Sequence, residues 1–100
     1  MPDISFIVPA HNEAQLLGQT LTALHVAART TDVSYEIVVA DDSSTDRTSA
    51  IASAHGATVV HVAHRQIALT RNAGASVARG TLLVFVDADT IVPEIGRAHV

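Results

Sequence analysis

The sequence predicts an α/β fold: a parallel sheet of alternating β-α units, truncated after the fourth strand. Three observations carry this expectation. Four short apolar runs are bounded by polar or turn residues and are continuous and β-branched, as in strands buried on both faces of a parallel sheet. Three segments between them carry apolar residues at helical spacing. Strand and helix alternate strictly, and right-handed crossovers then lay the strands parallel, with helices on both faces.

The first strand is expected over residues 4–8. Asn12 follows as a plausible N-cap with Gln15 three residues on, and Leu17, Leu21, Leu24 and Ala28 share one helix face. The second strand is expected over 36–40. A second helix should open in the Ser43-Ser44-Thr45 cluster and stop at Gly56, a residue suited to the position just past a helix end. After a third strand over 58–62, a third helix runs from about Gln66 to Arg79. Leu69, Ala73 and Val77 form one stripe of it, Gly74 marks close helix–sheet packing, and Gly80 stops it. The fourth strand is expected over 82–86.

Composition narrows the function classes. Apolar residues make up 48% of the 100, which excludes a disordered or fibrous chain. The formal net charge is −4, lysine is absent, and six arginines carry every fixed positive charge. No basic patch stands out, so a nucleic-acid partner is not expected. The absence of cysteine excludes disulfides, thiolate metal sites and cysteine nucleophiles. Met1 runs straight into the polar Pro2-Asp3, unlike a signal peptide. No apolar stretch approaches the roughly 20 residues of a membrane span. The expected location is the cytoplasm, or the cytoplasmic face of a membrane in a longer parent protein.

The chemistry gathers where strands end, because ligands of open α/β sheets sit at the carboxyl ends of the strands. Pro9-Ala10-His11-Asn12-Glu13 follows the first strand, Asp41-Asp42-Ser43-Ser44-Thr45-Asp46 the second, and Asp87-Ala88-Asp89 the fourth. Carboxylates crowded on one edge need a counter-cation or raised pKa values. Hard oxygen donors of this kind suit Mg²⁺ or Mn²⁺, which take one or two protein carboxylates together with substrate phosphates. Each motif also has a plain structural reading. An Asp-x-Asp can be a surface turn, and Asn12 can be a cap or a ligand contact. Glu13 in a first helical turn suits the helix dipole in any case. Of Asp41 and Asp42, one can cap a helix, but the serines and Thr45 already offer that role. His61 and His64 are spaced so as not to converge, and His25, His55 and His99 read as surface or partly buried residues. Arg71 and Asn72 face solvent or tie to the acidic rim. Neither a Gly-x-Gly-x-x-Gly fingerprint nor a P-loop is present.

Taken in order, the strand-1 loop, the Asp41-Asp42 loop, Arg71-Asn72-x-Gly74 and Phe85-Val86-Asp87-Ala88-Asp89 resemble the N-terminal, nucleotide-binding half of the family 2 glycosyltransferases. The resemblance covers nearly all of residues 4–93 and implies a Rossmann-like, GT-A sheet. It implies that Pro9, Ala10, His11 and Glu13 line a nucleotide pocket, and that Asp42 with Asp41 contacts the base or ribose. Asp87 would lie near the ribose and diphosphate, with Ala88 beside it, and Asp89 would bind Mg²⁺ or Mn²⁺. Arg71 is counted with the nucleotide-binding residues. Many family members carry glycine where this chain has Ser43. The implied donor is a UDP- or GDP-type sugar nucleotide and the acceptor is unknown. The implied reaction inverts the anomeric carbon, with a general base in a second half that this chain does not contain.

A parallel sheet that ended at its fourth strand would leave an apolar edge and one uncovered flank. Residues 94–100 have no assignable role and match a sequencing adapter read as codons. The expected organisation is therefore a partial domain over 1–93 followed by a non-native tail over 94–100. Two other readings compete. One is a nucleotide-sugar-binding fragment without turnover. The other is a haloacid-dehalogenase-type phosphatase, whose Asp-x-Asp usually follows the first strand and which leaves the loops after the first two strands unexplained.

Overall fold

The computed structural model describes residues 1–89. Among them lie β1 (Ile4–Ala10), α1 (Ala14–Thr30), β2 (Tyr35–Asp42), α2 (Thr48–Ala54), β3 (Thr58–Val62), α3 (Ile67–Val77) and β4 (Leu82–Phe85). The expected tail over 94–100, His99 and the 90–93 segment lie outside the described residues. All strand pairs are parallel and the sheet order is β3-β2-β1-β4. The chain builds outward from β1 to β3 and then crosses back to set β4 on the other side of β1. Strand order therefore reverses between β1 and β4, which is where ligands enter open α/β sheets.

Side-chain alternation assigns the two faces of the sheet. Val8 and Ala10 of β1 and Ile37 and Val39 of β2 pack with Leu17, Leu21 and Leu24 of α1 and Ala52 of α2. Leu17 and Leu21 are fully buried, which stabilises the fold by roughly 1.5–3 kcal/mol each. The opposite face, with Ile7, Val38 and Ala40, receives α3 through Gly74. No helix among the described residues is long and apolar enough to cross a membrane.

The structure revises several expectations. β1 and β2 run two residues further than expected, so Pro9, Asp41 and Asp42 are strand residues. Proline is tolerated in the central β1 for a geometric reason. The Ile7 carbonyl accepts from Val86 N–H at 2.9 Å, so alternate residues direct their backbone groups towards β4. The N–H that Pro9 lacks falls beyond Phe85, where β4 has ended. Double-sided burial holds for β1 and β2 but not for β3 and β4, which are sheet edges among the described residues; Leu82 and Phe85 are about half exposed. In α3 the buried residues are Thr70 and Gly74, one position along from the expected stripe, while Leu69 and Val77 are exposed. A Cβ on Gly74 would lie 2.6 Å from Ile7 Cγ2, so α3 sits too close to the sheet for a leucine stripe. Gly56, in contrast, ends α2 as expected, with φ of +79°.

At the opposite, N-terminal edge a small polar network locks the sheet. Ser5 is fully buried; its hydroxyl donates to Glu36 Oε2 at 2.6 Å and accepts from Gly80 N–H at 2.7 Å. Arg79 N–H donates to the same Glu36 oxygen at 2.6 Å. Burial works against the Glu36 charge, but it is outweighed by the Arg79 N–H, the Ser5 hydroxyl and the Arg79 guanidinium. The Glu36 pKa is therefore held below its ordinary 4.5. Helix α3 ends at Val77, before Gly80, and the glycine serves this junction instead of stopping the helix.

Two predictions follow from this network. A Cβ on Gly80 would lie 2.6 Å from the Ser5 backbone nitrogen and 2.8 Å from the Ile4 carbonyl carbon. Gly80→Ala should therefore lower stability by about 1–3 kcal/mol in urea unfolding; an unchanged midpoint would refute the close approach. Glu36 stabilises the fold when ionised, and this contribution is complete above its unfolded-state pKa. It is lost as pH falls below 4.5 through the lowered folded value. Wild type should therefore lose more stability than Glu36→Gln over that acid range, and parallel pH profiles would contradict this.

Candidate functional site

The carboxyl edge of the sheet carries a cleft of about 330 Å³. Its walls come from the ends of all four strands. Pro9, Ala10, His11 and Glu13 come from β1 and its loop, Asp42 from β2, and Asp87, Ala88 and Asp89 from the chain after β4. Arg65, Gln66, Ile67 and Thr70 close the side formed by the β3–α3 loop and α3. Of the residues singled out in the sequence, Asp41 and Arg71 do not line the cleft.

The loop after β3 was the part that sequence reasoning missed. It has no carboxylates, so a search for acidic strand ends passes over it. Its signal was positional: in a parallel sheet the third strand ends on the same edge as the others.

The β1–α1 and β2–α2 loops hold each other. Asn12 is not the cap of α1; that position belongs to Glu13, which makes no side-chain cap bond. The backbone donors leading into α1 are met from the β2–α2 loop and the start of α2 instead. Asn12 N–H reaches Ser44 Oγ at 2.9 Å, Glu13 N–H reaches Thr48 Oγ1 at 2.9 Å, and Ala14 N–H reaches Asp46 Oδ2 at 3.2 Å. In return Asn12 Oδ1 accepts from Thr45 N–H at 2.7 Å. Helix α2 opens at Thr48 and not in the serine cluster, with Asp46 Oδ1 accepting Thr48 N–H at 2.9 Å. The Thr48 hydroxyl and backbone bonds hold the Asp46 pKa below its ordinary value. Asp46 is thus a shared cap for two helices.

Alternation separates the paired aspartates. Asp41 Oδ1 accepts Ser44 N–H at 3.2 Å, and its Oδ2 lies 3.7 Å from His61 Nδ1. Asp42 points to the opposite face, towards α3 and the cleft. It is 5% exposed, with Oδ2 receiving the Thr70 hydroxyl at 2.9 Å and Oδ1 the Ser43 hydroxyl at 3.1 Å. Burial disfavours its charge, but Thr70, Ser43 and the N–H groups of Arg65 and His64 outweigh that and lower its pKa. The His11 imidazole donates from Nδ1 to the Asp42 carbonyl at 2.5 Å, tying the first loop to β2.

Glu13 has the opposite shift. Burial raises its pKa, and the charges of Asp89 and Asp46 raise it further, against a smaller lowering by His11. Arg71 stands outside the cleft, with Nη2 3.7 Å from Asp87 Oδ1 and its guanidinium 6.0 Å from the centre of the Phe85 ring. This is the tie to the acidic rim. Left-handed backbone recurs at non-glycine residues in the first three strand-end loops: Asn12 (φ 51°), Ser43 (φ 59°) and Arg65 (φ 52°). Such residues cost about 1–2 kcal/mol each. At Ser43 a glycine would adopt this left-handed backbone without that cost.

The donor set suits a hard divalent cation that relies on its ligand for most of its coordination. Among the described residues no three metal-ligating side chains converge. The charges of Asp89 and Asp46 both oppose that of Glu13, so a cation beside Glu13 and Asp89 would relieve surplus negative charge. One or two carboxylates completed by diphosphate oxygens and water is the arrangement Mg²⁺ and Mn²⁺ favour.

Comparison with known proteins agrees with this geometry. The family model for glycosyl transferase family 2 matches residues 5–95. The chain is 35% identical over 94 residues to validoxylamine A glucosyltransferase from Streptomyces hygroscopicus subsp. jinggangensis, covering 87% of the chain and 22% of that protein. It superimposes on a mannosyltransferase from Pyrobaculum calidifontis in complex with GDP-Man and Mn²⁺, with a TM-score of 0.80 and 29% identity over 93% of the chain and 29% of that structure. It also matches glucosyl-3-phosphoglycerate synthase from Mycobacterium tuberculosis in complex with Mn²⁺, UDP and glucosyl-3-phosphoglycerate. There the TM-score is 0.69 and the identity 32%, over 93% of the chain and 36% of that structure. The chain thus spans between about a fifth and just over a third of these relatives. Its α/β sheet is that of the GT-A glycosyltransferases, and the chain belongs to glycosyl transferase family 2.

Proposed function

We propose that this chain forms the donor-nucleotide site of a glycosyltransferase that moves a sugar from a UDP- or GDP-type nucleotide to an acceptor hydroxyl. The observation that carries this reading is the cleft at the strand-order reversal, which gathers Asp42, Asp87, Asp89 and Glu13 beside Arg65. Two structural relatives bind a nucleotide together with Mn²⁺, one GDP-Man and the other UDP, which supports a sugar nucleotide over an unrelated ligand.

The residues take the following parts. Asp42 accepts a hydrogen bond from the base or ribose. Pro9, Ala10 and His11 form the wall of the nucleotide pocket. Asp87, with Ala88 beside it, meets the ribose and diphosphate, while Arg71 moderates the charge on Asp87. Asp89 holds Mg²⁺ or Mn²⁺, which when bound stabilises the charge that develops on the leaving diphosphate. The acceptor hydroxyl must lose a proton as it attacks the anomeric carbon from the opposite face, giving inversion. No residue of the cleft is assigned to that step. The chain spans only about a fifth to just over a third of these relatives, and the base is assigned to the part it does not span.

Isothermal titration with UDP and GDP, with and without Mn²⁺, tests the reading. Nucleotide should bind more tightly with the metal, and Asp89→Ala should weaken the metal-dependent binding at least about tenfold. Nucleotide binding that is absent, or that ignores both Mn²⁺ and Asp89→Ala, would sink it.

A further inference from the structure

We propose that Thr70 is a positioning residue for the nucleotide: from α3 its hydroxyl fixes one oxygen of the Asp42 carboxylate and leaves the other free to exchange onto a ligand donor. The inference rests on the reading that Asp42 contacts the nucleotide and adds the device that orients it.

Three features of the structure carry it. Thr70 is 2% exposed and stands one helical turn before Gly74. The close approach that Gly74 permits, with a Cβ there only 2.6 Å from Ile7 Cγ2, brings the Thr70 hydroxyl within 2.9 Å of Asp42 Oδ2. The hydroxyl is also 3.0 Å from the Gln66 carbonyl. It has one proton, and the charged acceptor makes the stronger bond.

The two carboxylate oxygens are held differently. Oδ2 is met by a buried hydroxyl on a helix. Oδ1 is met by Ser43, a half-buried neighbour in left-handed backbone, at the longer distance of 3.1 Å. A ligand N–H or O–H can replace Ser43, whose hydroxyl then turns to solvent. Replacing Thr70 would cost a buried charge its helix-borne donor.

Other groups also surround Asp42. His11 bonds its backbone carbonyl from the β1 loop. His64 and Arg65 direct backbone N–H groups at the carboxylate from the β3 loop. Asp41, paired with His61, lies on the other face. None of these acts from α3, so among the described residues Thr70 is the contact that couples the carboxylate to the helix.

The test compares Thr70→Val, which keeps the shape and removes the hydroxyl, with Thr70→Ser, which keeps the hydroxyl. UDP and GDP affinities are measured with Mn²⁺ from pH 5 to 8, alongside thermal melts and an Asp42→Asn control. Losing the donor raises the Asp42 pKa, and the ionised acceptor is then lost as pH falls through that higher value. Thr70→Val should bind about tenfold more weakly across this range, with a deficit that widens towards the acid end, and be rescued by serine. No deficit, or a deficit that serine does not rescue, overturns the proposal. If Asp42→Asn weakens binding while Thr70→Val follows wild type, the positioning role alone fails. If Asp42→Asn leaves affinity unchanged, the nucleotide-contact reading fails and the positioning role with it. Should Thr70→Val not fold, Thr70→Ala takes its place in the same comparison with Thr70→Ser, and a Thr70→Ala affinity equal to that of wild type overturns the proposal.

Discussion

Because every strand pair is parallel, the strand-to-helix loops have only one edge of the sheet to occupy. A β-α-β unit returns the chain to the start of the next strand, so each strand ends where the others end. The β3-β2-β1-β4 order then opens a gap at that edge, where strand order reverses between β1 and β4. The cleft is thus a consequence of connectivity before any side chain is chosen. What the side chains decide is how a crowded polar edge is kept ordered.

Order at that edge comes from cross-linking by hydrogen bonds instead of from glycine-rich turns. The entry to α1 has no side-chain cap of its own and borrows Ser44, Asp46 and Thr48 from the next loop and the start of α2. Each such bond contributes about 1 kcal/mol, enough together to offset the left-handed backbone at Asn12 and Ser43 in the same pair of loops. The two loops are therefore stable as a pair, and the residues available to a ligand are those left over: His11, Glu13 and Asp42.

Asp42 and Glu13 show how the environment separates two carboxylates of one cleft. Burial works against ionisation in both. Asp42 faces hydroxyls and backbone N–H groups, which stabilise its charge. Glu13 faces Asp89 and Asp46, which oppose it. The first is a fixed acceptor, and the second a sign of unbalanced negative charge at the mouth. Under the proposed function these are the two needs of a nucleotide-diphosphate site: a defined contact for the nucleoside and a place for a cation beside the phosphates.

Much of this was legible in the sequence, because periodicity and turn residues are local properties. The seven elements, Gly56 as the stop of α2, the Gly74 contact and the acidic strand ends all follow from residues close together in the chain. The site residues after β1, β2 and β4 were visible because their carboxylates are conspicuous. What tertiary structure decided depends on distant partners. Asn12 became a cross-loop clasp because Ser44 and Thr45 lie opposite it, not because of its own helix. Asp41 and Asp42, adjacent in sequence, were sent to opposite faces by the continuation of β2 beside β1. Arg65 and Thr70 entered the cleft because the third strand ends at the common edge. On α3, Thr70 and Gly74 displaced the leucine stripe because the helix approaches the sheet too closely for large side chains. A sequence specifies which groups are near one another along the chain; the hydrogen bonds and contacts that assign their roles form only when strands far apart in sequence are paired.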